Sequence, residues 1–147
     1  MTKLVGITGG IGSGKTTFSN HLKKLGYVVH ESDVVVSEIY NNPKKNFLSF
    51  IKKKILQDAT DHYKINKVEI ANVIFSNNKI KKLLEKRIHE EVQISREAFI
   101  KKYTKKKKKI IFADIPLLFE NNLDKSFDTV FCIISSKKNS TKRILKN

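Results

Sequence analysis

The chain has 147 residues, 39% hydrophobic and 30% charged, with a formal net charge of +16 and one cysteine. That length supports one domain with a real core, and no apolar run reaches membrane-spanning length or forms a visible signal peptide. A single cysteine rules out an intramolecular disulfide and fits a reducing, cytoplasmic setting. The charge invites a nucleic-acid reading. Yet of the 30 basic residues only Arg87, Arg96 and Arg143 are arginine, whereas nucleic-acid surfaces favour arginine forks and interleaved aromatics. Lysine and asparagine in this excess are what an AT-rich coding sequence produces. The densest cluster, Lys105 to Lys109, reads as a solvated connector. The expectation is therefore nonspecific polyanion binding at low salt, with no specific nucleic acid and no membrane.

Lys3 to Thr8 reads as a first buried strand, and Phe18 to Leu25 as a helix closed by Gly26. Between them lies Thr8-Gly9-Gly10-Ile11-Gly12-Ser13-Gly14-Lys15-Thr16-Thr17, which fits the phosphate-loop pattern G-x-x-x-x-G-K-[ST] from Gly9 to Thr16. All six glycines lie at or before Gly26, and five of them fall between Gly6 and Gly14. Glycine is thus concentrated where a backbone must approach a phosphate. Tyr27 to His30 is a second strand, parallel to the first. Asp33 to Tyr40 is a short helix, broken by Asn41-Asn42-Pro43. From Lys44 to about Tyr103 the apolar residues recur at helical spacing, apart from a polar loop over Gln57 to Asn66. Ile110 to Ala113 is a third strand ending at Asp114. Thr129 to Ile134 is a fourth, with Cys132 expected to be buried as a small apolar residue. Asn139 to Leu145 begins a helix.

Strands alternating with helices predict an α/β fold with a parallel sheet and flanking helices, of the P-loop NTPase type. The roughly sixty helical residues between strands two and three exceed an ordinary crossover. The expected organisation is a single domain over 1–147, with a helical insertion at about 42–104 that holds an acceptor substrate.

In such a sheet, ligands bind beyond the carboxyl ends of the strands. Gly10, Ile11, Gly12, Ser13, Gly14, Lys15, Thr16 and Thr17 would cradle the phosphates of a nucleotide, with Lys15 on the β- and γ-phosphates and Thr16 on Mg²⁺. Asp33, just past strand two, is placed to take a proton from an attacking hydroxyl, or simply to cap the next helix. Asp114 has the form of a Walker-B carboxylate that holds Mg²⁺ directly or through water.

The doubled glycine of the loop, Asp33 after strand two and the run Asp114-Ile115-Pro116-Leu117-Leu118-Phe119-Glu120 together resemble the dephospho-coenzyme A kinase family. The resemblance implies transfer of the γ-phosphate of ATP to the 3′-hydroxyl of dephospho-coenzyme A, in the cytoplasm, as the last step of coenzyme A synthesis. It implies Asp33 as general base, Asp114 beside metal and acceptor, and the helical insertion as the coenzyme-binding part. Glu31 stands where the family's D-x-D has its first acid. His89-Glu90 stands where the family has a His-Pro pair, which makes His89 a candidate substrate contact. Family members continue past Arg143 through a lid helix, a fifth sheet strand and a closing helix. On that comparison most of the lid and the last strand are expected to be missing. Arg143 is then the one lid arginine expected, and apolar surface is expected to be uncovered near Leu4 and Ile7. Other readings are a different small-molecule kinase of the same fold, a nonenzymatic ATP-binding remnant, and a basic nucleic-acid-binding module.

Overall fold

Leu4-Val5-Gly6-Ile7 and Ile110-Ile111-Phe112-Ala113 are continuous apolar runs without polar alternation. Strands of this kind fit the inside of a parallel sheet whose two faces are both covered. A computed structural model of the chain describes residues 1–10, 12–57, 60–61 and 64–135, and places both runs in the middle of a four-stranded parallel sheet. Its strands are β1 (Lys3–Gly9), β2 (Val28–Glu31), β5 (Ile110–Asp114) and β6 (Thr129–Ile133), in the order β2-β5-β1-β6. β2 is parallel to β1, as expected, but β5 lies between them. Helix α1 (Lys15–Lys24) connects β1 to β2, and Gly26 ends that connection at a φ of 90°. Val5, Ile7, Leu22, Val29 and Phe112 form one buried cluster. Ala113, Ile115 and Leu118 form another.

Residues 1–32 and 96–147 make up one compact unit, and residues 33–95 make up a second. The second contains most of α2 (Ser32–Asn41), then α3 (Lys45–Phe50) running into a π-helical turn at Ile51–Ile55. A two-stranded antiparallel hairpin follows, β3 (Thr60–Asp61) with β4 (Lys64–Ile65). The hairpin lies inside the segment expected to be a loop. Next come α4 (Lys67–Ser76) and the first part of α5 (Asn78–Lys105). Phe47, Ile51, Ile55, Ile70 and Leu84 are the buried core of this unit.

Two expectations about burial need correction. Leu4 and Ile7 are not left uncovered, since β1 is flanked by β5 on one side and β6 on the other and Ile7 is fully buried. Cys132 is exposed rather than buried. Both have one cause. Among the described residues β6 pairs only with β1, so the unshielded strand is β6, where Phe131 is 41% and Ile134 84% exposed. The helix expected over Asn139 to Leu145 falls outside the described residues, as does Arg143.

Candidate active site

The phosphate loop begins where β1 ends. A β-carbon on Gly9 would lie 2.6 Å from the Ile133 carbonyl oxygen and 2.7 Å from Ser13 Oγ, so only glycine fits there. At Gly10 the same atom would meet nothing within 4 Å, which leaves open space beside the backbone. The turn is closed by the Ser13 N–H donating to the Gly10 carbonyl at 3.2 Å. Gly14, at a φ of 95°, then turns the chain into α1 as its N-cap, with no side chain in the way. The first N–H groups of a helix have no partner within it and point out of its end, and the helix dipole adds positive potential there. Ser13 Oγ is buried and has no hydrogen-bond partner among the described residues, the condition of a hydroxyl that a phosphate oxygen would satisfy. Thr16 and Thr17 lie in the exposed first turn of α1. Ile11 falls outside the described residues.

Lys15 and Asp114 meet. Lys15 Nζ donates to Asp114 Oδ1 at 2.6 Å, with both side chains about nine-tenths buried. The second carboxylate oxygen accepts from the hydroxyl of Ser19 at 3.2 Å, and Ser19 is fully buried. Residues four apart share a helix face, so α1 presents Lys15 and Ser19 together to one carboxylate. Asp114 is held from behind as well. The Ile115 N–H donates to the Ile7 carbonyl at 2.8 Å, and Leu118 is fully buried one turn further on. Glu31 is the register neighbour of Asp114 across β2 and β5, and it is paired with Lys23 of α1. Two carboxylates therefore sit side by side at the carboxyl edge of the sheet, each with its own lysine.

Asp33 occupies the first turn of α2, two residues after β2 ends at that edge, and its side chain is exposed. His89 is exposed on α5, within a polar surface that also includes Lys82, Glu85, Lys86 and Glu90.

Residues 3–147 match the family model for dephospho-CoA kinase. The chain belongs to the dephospho-CoA kinase family. It is 33% identical over 151 residues to the dephospho-CoA kinase of Streptococcus mutans, covering 98% of this chain and 72% of that one. Its fold matches a Thermus thermophilus crystal structure with a TM-score of 0.78 at 24% identity, covering 99% of this chain and 72% of that one. It also matches the structure of the Campylobacter jejuni dephospho-CoA kinase, with a TM-score of 0.67 at 16% identity and coverage of 99% and 95%.

Against this family background, sequence reasoning missed Ser19 and Lys23. The spacing Lys15, Ser19, Lys23 was the available signal, since steps of four put all three on one helix face. What was lacking was the sheet order. With β5 next to β1, Asp114 comes under that face.

Proposed function

We propose that this chain transfers the γ-phosphoryl group of ATP to the 3′-hydroxyl of dephospho-CoA in the cytoplasm, giving CoA and ADP. The observation that carries the reading is the meeting of Lys15 and Asp114 beside an open glycine loop. It supplies a cation for the phosphates and a buried oxygen donor at one sheet edge. Asp33 takes the proton of the acceptor hydroxyl as its oxygen bonds to phosphorus. The bond from phosphorus to the bridging oxygen breaks, and ADP leaves with that electron pair. Lys15 exchanges its carboxylate partner for phosphate oxygens, which keeps the cation paired throughout. Loop N–H groups and Ser13 fix the phosphates in line with the acceptor.

Thr16 and Asp114 fit a Mg²⁺ site. Both are hard oxygen donors, and Mg²⁺ takes few protein ligands and completes its octahedron with phosphate oxygens and water. The ion would neutralise charge developing between the β- and γ-phosphates. The experiment is ADP release measured with and without dephospho-CoA. Acceptor-dependent release is the expected result. ATP binding with no acceptor-dependent release would make the chain a nucleotide-binding protein without turnover.

A further inference from the structure

Asp114 is buried, and among the described residues its carboxylate has two donors, the Lys15 ammonium on Oδ1 and the Ser19 hydroxyl on Oδ2. The two differ in what they can do. Lys15 is the first residue of α1, directly after the glycine loop, and its long side chain can turn toward an anion held there. Ser19 lies one helical turn further on and is fully buried, so no ligand touches it. Its hydroxyl sits on a one-carbon stem and cannot follow Lys15. Helix α1 thus gives Asp114 one donor that can leave and one that stays.

The difference matters when an anion enters the loop. A buried carboxylate is tolerated only while it is paired and hydrogen-bonded. When Lys15 turns to phosphate oxygens, Asp114 keeps its charge and loses its cation. Glu31, its neighbour across the sheet, brings no relief, because it is itself a carboxylate and already holds Lys23. The donor that remains on Asp114 is Ser19. Its bond of 3.2 Å is long for a hydroxyl donating to oxygen. A hydroxyl bonded to an unshared carboxylate is shorter and stronger, so this contact has room to tighten as Lys15 withdraws.

We propose that Ser19 is a positioning residue for nucleotide binding: it holds the Asp114 carboxylate when Lys15 leaves it for the phosphates. Ser19 sets how unfavourable that exchange is, and so tunes nucleotide affinity from a place the nucleotide never reaches. It acts through Asp114 alone. This rests on the reading of the loop as a nucleotide site, but it needs neither acceptor nor turnover.

ATP is titrated into the full chain by calorimetry, in EDTA so that no metal ion takes over the care of Asp114. Ser19→Ala puts the best helix former at the position and should fold. It should weaken ATP binding about tenfold, the usual worth of a hydrogen bond to a charged group. In an Asp114→Asn background no charge is left behind when Lys15 turns. Adding Ser19→Ala there should change ATP affinity by less than about twofold. A purely structural Ser19 would lower the melting temperature in both backgrounds and leave both affinities alone. Equal ATP affinity in the parent and Ser19→Ala would overturn the proposal, as would an equal loss in the two backgrounds. The expected pattern of ATP binding without acceptor-dependent ADP release would sink the kinase reading and leave the role of Ser19 standing. A parent chain that binds no ATP would sink both.

Discussion

Lys15 is the cation of a buried ion pair as well as the proposed phosphate ligand, and that makes its removal costly in two separable ways. Lys15→Ala strands the Asp114 carboxylate in a buried site, which should cost on the order of 3 kcal/mol of stability. It also removes the cation proposed to meet the phosphates. Adding Asp114→Asn to Lys15→Ala should restore most of the stability and none of the ATP affinity, read by urea melts and calorimetry. Recovery of ATP binding in the double variant would mean that Lys15 acts only through Asp114. Asp33 is a simpler case, because its side chain is exposed in the first turn of α2 rather than at the cap position. Asp33→Asn should lower turnover by roughly two to four orders of magnitude with little change in melting temperature. Near-parental turnover would show that Asp33 is not the base. His30 is buried in β2 against the Phe99 ring, and burial, followed by the nearby Arg96, lowers its pKa to about 4. The unfolded chain takes up a proton there near pH 6.5 and the folded chain does not. The stability tied to a neutral His30 is thus complete above about pH 6.5 and drains away as pH falls toward 4. The limit is on the order of 3 kcal/mol. His30→Leu should flatten the stability profile between those two pH values, and an unchanged slope would show that other groups set it.

The helices of the second unit show what periodicity conveys and what it leaves out. Apolar spacing announced helix from Lys44 onward, and its residues Phe47, Ile51, Ile55, Ile70 and Leu84 do form the core. The breaks are made by asparagines. The Asn66 side chain accepts from the Glu69 N–H at 3.2 Å and starts α4, and Asn77 accepts from the Ile80 N–H at 3.1 Å and starts α5. In a chain so rich in asparagine, a cap looks like any other surface position, so the boundaries did not stand out. The same lack of contrast hides the ends of helices, because no glycine follows Gly26. Helix α5 ends with the Lys107 N–H on the Thr104 carbonyl and the Lys108 N–H on the Tyr103 carbonyl, with Lys107 at a φ of 58°. That is the bonding of a Schellman turn, with lysine in the left-handed position that glycine usually fills. Lys107→Gly should relieve this strain and raise stability by about 0.5 to 1 kcal/mol, a gain of roughly 1–4 °C in melting temperature. A lower melting temperature would show that the loss of unfolded-chain freedom with lysine outweighs the strain.

For the chain as a whole, the strand, glycine loop and helix at its start were legible because they are written locally. Strand, glycine loop and helix are contiguous from Lys3 to Lys24, and Asp114 stands out at the end of the apolar run from Ile110. The contact of Lys15, Ser19 and Asp114 was not legible, since it depends on β5 lying beside β1, a non-local pairing that no local pattern encodes. The net charge of +16 is likewise a property of the whole chain, and it separates two anion effects. Self-repulsion of this size destabilises the folded state, and any salt screens it. Sodium chloride should therefore raise the melting temperature steadily. Inorganic phosphate at matched ionic strength should raise it further, because it also occupies the loop and stabilises by mass action. Lys15→Ala should abolish the extra rise from phosphate and keep the rise from chloride. If phosphate and chloride act alike on the parent chain, the loop binds no free anion. If the excess survives in Lys15→Ala, the anion is held elsewhere on the lysine-covered surface.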